Sequence, residues 1–161
     1  MSATDKKESD GEDKLLNEKA EVIIIEDDEE ILESLKEILQ SEGYEVDAAT
    51  DGEEGIKKCR AKPFDIALLD IKLPGMDGTR VLEILHKEFP NMIKIMITGY
   101  PSLENAVASL KKGADAYLMK PVNPSNLLKV IDEKMNERAQ RKMLRLDQNN
   151  RISGFPNQNV S

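Results

Sequence analysis

The sequence predicts an α/β fold in which a doubly wound, five-stranded parallel sheet carries helices on both faces. Short apolar runs of strand length alternate with longer stretches of helical periodicity, which is the pattern of parallel strands joined by crossover helices. Three of the five runs are apolar throughout, as strands buried on both faces must be. A chain of 161 residues suffices for one such domain with one proper core, and not for a second large domain.

The five predicted strands lie at 22–25, 44–48, 66–69, 93–97 and 116–119. The second run is more polar than the others, which favours a position at the edge of the sheet. No internal sequence repeat interrupts the alternation of strands and helices.

Each of the five predicted helices carries its apolar residues on one stripe. The stripes consist of Ile31, Leu35, Ile38 and Leu39; Gly55, Ile56 and Cys59; Val81, Leu82 and Leu85; Leu103, Val107 and Leu110; and Leu127, Leu128 and Ile131. Asp51 and Ser102 are suitable N-caps for the second and fourth helices. Gly43 and Gly113 follow the ends of the first and fourth helices, where a residue with positive φ is common.

Composition excludes several classes of protein. The formal charge of −8 argues against a protein that binds nucleic acid with its whole surface. The longest apolar runs have four or five residues, whereas a membrane span needs ~20, and the N-terminus lacks the apolar core of a signal peptide. We therefore expect no membrane insertion and a location in the cytoplasm. One cysteine and one histidine exclude disulfide frameworks and multi-cysteine or His-rich metal sites.

Charged and polar residues follow four of the predicted strands. They are Glu26, Asp27 and Asp28 after the first strand, Asp70 after the third, Thr98 after the fourth and Lys120 after the fifth. In an open parallel sheet, ligands bind outside the carboxyl ends of the strands. Charged groups there would repel one another or be desolvated unless a site uses them. The functional site is therefore predicted at this edge.

The chemistry of these residues points to a hard cation. Carboxylate oxygens without histidine or cysteine suit Mg²⁺, which is usually held by one or two carboxylates together with water and phosphate oxygens. An alternative applies to residues 28–30, which are also typical of the acidic first turn of a helix. The sequence alone leaves the two interpretations of Asp28 open.

Three longer stretches, in their order and spacing, resemble a known family. They read VIIIEDD at 22–28, FDIALLDIKLPGMDG at 64–78 and IMITGYPSLENAVASLKKGADAYLMKP at 95–121. Together they resemble the receiver domain of two-component response regulators, over roughly residues 20 to 135. The resemblance implies a flavodoxin-like sheet with strand order 2-1-3-4-5. It also implies a single-domain response regulator of a phosphorelay, which accepts a phosphoryl group from a sensor histidine kinase in a Mg²⁺-dependent reaction and signals by a phosphorylation-driven surface change.

The same resemblance implies the acceptor and the metal ligands. Asp70 matches the aspartate that is phosphorylated. Glu26 and Asp27 match the acidic pair that holds Mg²⁺ with Asp70, and the backbone carbonyl of Lys72 completes the protein ligands. A register with Asp27 and Asp28 as the acidic pair is also possible.

Three further residues match the family's switch and phosphoryl contacts. Thr98 resembles the switch hydroxyl and Tyr117 the switch aromatic. Lys120 resembles the lysine that contacts the phosphoryl oxygens, as Thr98 also does. The resemblance further implies a cis peptide bond before Pro121.

Charge, composition and the family resemblance together divide the chain into four parts. Residues 1–20 are predicted to be a disordered acidic tail, 21–135 the receiver domain, 136–147 a basic extension of the last helix and 148–161 a disordered tail. The residues after the domain are too few for a DNA-binding output domain. We therefore expect a stand-alone receiver without direct DNA binding, which acts on a downstream protein target or output regulator.

Several alternatives follow from the same residues. A homodimer is possible through the fourth helix, fifth strand and fifth helix, or through the basic extension. The chain is not expected to be an enzyme beyond capture and hydrolysis of its own phosphoryl group. One alternative is a haloacid-dehalogenase-type phosphatase, which would need an aspartate where Lys72 stands. Another is an interaction module that acts without phosphorylation and would not need Asp70 as a phosphoryl acceptor. His86 is interpreted as a solvated surface residue and Cys59 as a small buried hydrophobe.

Overall fold

The computed structural model describes residues 20–99 and 102–153, in which five strands alternate with five helices. The strands are β1 (Glu21–Ile25), β2 (Glu45–Ala49), β3 (Ile66–Asp70), β4 (Ile93–Thr98) and β5 (Ala116–Met119). The helices are α1 (Glu29–Ser41), α2 (Gly52–Ala61), α3 (Gly78–Glu88), α4 (Leu103–Lys111) and α5 (Pro124–Ser153). Each predicted strand agrees with the structure to within one residue at either end.

The five strands form one parallel sheet of order β2-β1-β3-β4-β5. This order and the edge position of the polar second strand confirm the sequence-based predictions. Because β1 is followed by β2 on one side and β3 pairs with it on the other, the order reverses between β1 and β3. A crevice forms outside the carboxyl ends of strands at such a point.

Each face of the sheet has its own apolar core. Alternate side chains of β1 point to opposite faces, so Val22 and Ile24 pack against α1 and α5, whereas Ile23 and Ile25 pack against α2 and α3. All four side chains are buried. Burial on both faces explains the uninterrupted apolar run that the first strand shows in the sequence.

The ends of the helices use the predicted capping chemistry. The carboxylate of Asp51 accepts a hydrogen bond from the Glu54 backbone N–H at 2.8 Å, and the hydroxyl of Ser102 caps α4 in the same way. Gly43 and Gly113 adopt φ angles of +92° and +109° just beyond α1 and α4, which a residue with a side chain rarely adopts.

Helix α4 differs from its predicted orientation. The stripe of Leu103, Val107 and Leu110 does not face the sheet, and the Leu103 side chain is 83% exposed. Instead Ser109 is fully buried, with half-buried alanines beside it. The small residues allow the helix to approach the sheet closely, which leaves the larger apolar side chains on the surface with exposed Met119 of β5.

Helix α5 continues further than the sequence indicates. It runs to Ser153, so residues 148–153 are helical where a disordered tail was predicted. Extending an existing helix needs no new nucleus, which favours continuation through polar residues. Arg138 ties the middle of the helix to the sheet, since its guanidinium donates to a carboxylate oxygen of Asp65 at 2.9 Å. The predicted tails at 1–19 and 154–161 lie outside the described residues.

Among the described residues, no helix is both long enough and apolar enough to cross a membrane.

Candidate functional site

Three carboxylates meet at the carboxyl ends of β1 and β3. Oxygen atoms of Glu26, Asp27 and Asp70 all lie within 4.8 Å of one another. They meet because β1 and β3 pair in parallel with Ile25 opposite Leu69, which brings the residues after Ile25 beside the end of β3. Glu26 and Asp70 are only 2% and 6% exposed, whereas Asp27 is exposed at the mouth of the site.

Lys120 supplies a positive charge to this cluster from the end of β5. Its ammonium lies 2.8 Å from Oε2 of Glu26 and 3.0 Å from Oδ2 of Asp70. Its backbone N–H donates to the Thr98 carbonyl at 2.7 Å, which keeps the lysine beside β4. The peptide bond between Lys120 and Pro121 is cis, as the family resemblance implied.

The ionisation of the cluster reflects burial and competing charges. Burial raises the pKa of Glu26, and the Asp70 carboxylate adds to this effect, although the hydrogen bond from Lys120 opposes it. Burial acts to lower the pKa of Lys120, but its hydrogen bonds to the two carboxylates outweigh burial and the pKa is raised. A carboxyl with a raised pKa favours its protonated form in the folded state. The fold therefore loses stability as the pH rises from the ordinary range of Glu26 through the raised pKa.

The donor set fits a hard divalent cation. Three carboxylates and one ammonium leave two negative charges in a largely buried crevice when all are ionised. Like charges a few ångströms apart repel by ~1–4 kcal/mol per pair, depending on the effective dielectric. Only oxygen donors line the cluster, and such donors are typical of Mg²⁺ sites. A divalent cation would offset the remaining repulsion.

The structure separates Asp28 from this cluster. Its side chain caps α1, where it accepts hydrogen bonds from the backbone N–H groups of Glu30 at 3.0 Å and Ile31 at 3.2 Å. Its own N–H donates to Oε1 of Glu26 at 3.2 Å. Of the two registers that the sequence left open, the structure therefore brings Glu26 and Asp27 together with Asp70, and uses Asp28 at the helix terminus.

The loop after β3 holds Asp70 through backbone contacts. The Lys72 N–H donates to Oδ1 of Asp70 at 3.3 Å, and the Gly78 N–H donates to the Ile71 carbonyl at 2.8 Å. A Cβ atom at Gly78 would overlap backbone atoms of Asp70 and Ile71, so glycine alone permits this close approach. Its place directly after Asp77, the N-cap of α3, is the local signal of a turn, but the requirement for glycine comes from contacts across the loop.

Thr98 and Tyr117 lie on the same face of the sheet. Thr98 is the last residue of β4 and is fully buried. Tyr117 pairs with Met96, two residues before Thr98 on β4, and alternation along a strand places Thr98 and Met96 on one side. The Tyr117 hydroxyl is buried and has no hydrogen-bond partner among the described residues. The two residues therefore occupy neighbouring positions, and their switch roles stay predictions.

Two other sequence interpretations have different outcomes. Cys59 is buried in the core, and burial raises the pKa of its thiol to about 11, so it is a buried thiol as predicted. His86 is exposed, but its Nδ1 lies 3.1 Å from the ammonium of Lys94. The sequence analysis missed this contact, because it joins α3 to β4.

Comparison with known proteins gives a consistent family. The family model described as "Response regulator receiver domain" matches residues 22–132. A crystal structure of a CheY-like response regulator receiver domain protein from Methanospirillum hungatei JF-1 is 53% identical, with a TM-score of 0.74, and the match covers 76% of this chain and 98% of that chain.

Two curated relatives are similar to the same part of the chain. The NtrX-like response regulator of Rickettsia bellii is 36% identical over 110 residues, which cover 67% of this chain and 23% of that protein. The nitrogen assimilation regulatory protein NtrX of Azorhizobium caulinodans is 34% identical over 119 residues, covering 73% and 26%. This chain thus spans about a quarter of the length of these relatives.

Proposed function

Since this chain belongs to the response regulator receiver domain family over residues 22–132, we propose that Asp70 accepts a phosphoryl group from a sensor histidine kinase. One observation carries the proposal. A buried carboxylate at the end of β3 has two acidic side chains on one side and the ammonium of Lys120, at 3.0 Å, on another. Phosphoryl transfer needs a positioned nucleophile and a clamp on the transferred oxygens, with little acid–base machinery.

In this reaction, a carboxylate oxygen of Asp70 attacks the phosphorus of a phosphohistidine. A P–O bond forms as the P–N bond breaks, and the bonding electrons leave with the ring nitrogen of the kinase histidine. When the other ring nitrogen of the phosphohistidine carries a proton before transfer, the products are an acyl phosphate on Asp70 and a neutral imidazole on the kinase. The hydrogen bond from the Lys72 N–H to Oδ1 of Asp70 holds the carboxyl group in one orientation.

The neighbouring residues divide the remaining tasks. Glu26, Asp27, Asp70 and the carbonyl of Lys72 would hold Mg²⁺, which, when bound, supplies positive charge to the transferred oxygens. Lys120 leaves its ion pairs with Glu26 and Asp70 and donates to a phosphoryl oxygen instead, because the new dianionic group is a stronger partner. Both ion pairs are made by the same ammonium, so a small movement of the flexible Lys120 side chain exchanges them for the contact with the phosphoryl oxygen.

Signalling follows from the new charge at Asp70. A phosphoryl oxygen accepts a hydrogen bond from the Thr98 hydroxyl, and the space that Thr98 leaves admits Tyr117 from the same face of the sheet. The affected surface includes the exposed side chains of Leu103, Val107 and Met119. We assign to this surface the contact with a downstream protein target, or with a second copy. The exchange with the kinase takes place in the cytoplasm.

The proposal is tested by incubating the protein with acetyl phosphate. We expect an adduct of one phosphoryl group by intact mass in the presence of Mg²⁺, and its loss on treatment with hydroxylamine, which cleaves acyl phosphates. Omission of Mg²⁺ is expected to slow capture by about 10²-fold or more, since charge stabilisation of this kind is typically worth several kcal/mol. An adduct that resists hydroxylamine, or none with Mg²⁺ bound, would contradict it.

Two matched variants test which of the neighbouring acids Asp27 and Asp28 binds Mg²⁺. Saturating Mg²⁺ is expected to raise the free energy of unfolding by about 2.7 kcal/mol at 100 times Kd, and Asp27→Asn to remove most of that gain because a ligand carboxylate is lost. Asp28→Asn removes an equal charge one residue away and keeps the N-cap, since asparagine caps as well as aspartate. Thermal denaturation with and without Mg²⁺ decides. Equal losses in the two variants, or a loss in Asp28→Asn alone, would refute the assignment of Glu26 and Asp27.

A further inference from the structure

The described residues contain a second charged cavity, at the opposite edge of the sheet from Asp70. It is a cleft of about 690 Å³ between α5 and the amino ends of β3, β4 and β5. Lys94 lies in this cleft as the second residue of β4, whereas Thr98 at the acidic site is the last. At ~3.3 Å per residue the two are about 13 Å apart along the strand. The cleft is therefore separate from the acidic site.

The cleft concentrates positive charge in an acidic protein. Its cationic side chains are Lys94, Arg138, Arg141, Lys142 and Arg145, with His86 beside them. Only two acids line it, Asp65 and Asp115, which leaves an excess of three positive charges when His86 is neutral. The chain as a whole carries −8, so this local reversal of sign is large.

Neither Asp65 nor Asp115 forms an ion pair with the cations at the outer part of the cleft. The carboxylate of Asp65 is engaged by the guanidinium of Arg138 at 2.9 Å. The carboxylate of Asp115 accepts from the backbone N–H of Lys94 at 2.8 Å, and not from its ammonium. Among the described residues, Arg141, Lys142 and Arg145 form no ion pair with a carboxylate.

Lys94 is a buried lysine whose ammonium has no carboxylate partner among the described residues. Its side chain is 1% exposed, and its ammonium contacts Nδ1 of His86 at 3.1 Å with no carboxylate in salt-bridge range among the described residues. A buried charge without an opposite partner is costly. Burial lowers the pKa of Lys94, and the nearby Arg141 adds to this effect, although Asp115 opposes it. An anion in the cleft would supply the missing partner.

We propose that this cleft binds a small anion of the phosphate class that carries two or more negative charges. Arginine side chains present paired N–H groups that match phosphate oxygens, and Lys94, which also lines the cleft, carries a further donor. The volume lies within the ~300–1,000 Å³ typical of small-molecule sites. A concave site with its lysine buried suits a small ligand better than the convex backbone of a nucleic-acid duplex.

Pyrophosphate is a suitable probe, added to the full chain in metal-free buffer at constant ionic strength. The acidic site repels an anion under these conditions, so it does not compete with the cleft for pyrophosphate. His86 is the only histidine in the sequence, so its ring protons give an assigned NMR signal beside Lys94. We expect a saturable shift of this signal and a matching heat of binding by calorimetry.

The decisive comparison uses two double variants that change the net charge equally. Arg141→Gln/Arg145→Gln removes two exposed cations of the cleft and is expected to weaken pyrophosphate binding about tenfold or more, as loss of charge-assisted hydrogen bonds does. Lys129→Gln/Arg151→Gln removes two exposed cations of the same helix outside the cleft and is expected to change affinity by no more than about twofold, by long-range electrostatics that salt screens.

Three results would overturn the proposal. They are the absence of saturation, equal weakening in the two double variants, and tighter binding of a DNA duplex than of pyrophosphate with the same dependence on Arg141 and Arg145.

Discussion

We expect Asp70→Asn to lower the rate of phosphoryl capture from acetyl phosphate by at least about 10³-fold. The amide retains the size of the carboxylate but lacks its nucleophilic oxygen, and loss of a nucleophile typically costs this much or more. Among the described residues, Glu26 and Asp27 are the carboxylates that meet Asp70, and we expect neither of them to capture a phosphoryl group in its place. Intact mass against time gives the rate.

Asp77→Asn is the matched control for this variant. It makes the same chemical change seven residues further along, at the N-cap of α3, where asparagine is an equally good cap. We expect it to capture phosphoryl groups at close to the wild-type rate. Asp70→Asn should itself remain folded and be at least as stable as the metal-free wild type, because Lys120 keeps its ion pair with Glu26 and the repulsion between Asp70 and Glu26 is removed. A folded Asp70→Asn protein that still forms a hydroxylamine-labile adduct would disprove the assignment.

The second large effect is expected from Lys120→Met. This change leaves Glu26 and Asp70 without their shared cation, and breaking a buried ion pair by removing one partner costs ~3–5 kcal/mol. Since the Lys120 side chain is 17% exposed, we expect a loss of about 2–4 kcal/mol in the free energy of unfolding without metal. Urea denaturation measures it. Capture of phosphoryl groups should slow by about 10²–10³-fold, as when a transition-state donor is removed.

Two conditions distinguish this electrostatic effect from simple loss of packing. Mg²⁺ should reduce the destabilisation, because it replaces part of the missing positive charge. Lower pH should reduce it also, since burial raises the pKa of Glu26 and its protonation removes an unpaired charge. Lys111→Met, at an exposed lysine of α4, should change stability by no more than about 0.5 kcal/mol. A destabilisation by Lys120→Met that is independent of both Mg²⁺ and pH would contradict the explanation.

Much of the fold could be predicted because its signals are local. Apolar runs of strand length and stripes of helical period lie within short windows of sequence. The five strands of the structure lie where the apolar runs predict them. Asp51 and Ser102 cap the helices that follow them, since a cap depends on two or three adjacent residues. The end of each strand is also a local signal. The sequence alone therefore identifies Asp70, Thr98 and Lys120 as residues at strand ends, without indicating which side chains they contact.

The site was only partly predictable from such local signals. The pattern of residues after β1 is compatible with either Glu26 or Asp28 as the partner of Asp27, because both are acidic and adjacent. The pairing of β1 with β3 brings Glu26 and Asp27 beside Asp70, and the side chain of Asp28 caps the start of α1. The requirement for glycine at Gly78 is likewise not a local signal, since it arises from backbone atoms of Asp70 and Ile71 that the turn brings back against it.

By itself, the sequence determined the order of the strands and helices, the edge at which the site lies and the types of residue that line it, because these depend on local periodicity and composition. The tertiary structure decided which side chains meet. Lys120 reaches Glu26 across 94 residues of chain, α4 turns its small residues to the sheet and Leu103 to the surface, and Lys94 lies buried against His86. Such contacts join residues far apart in sequence, so they arise only when the elements pack together.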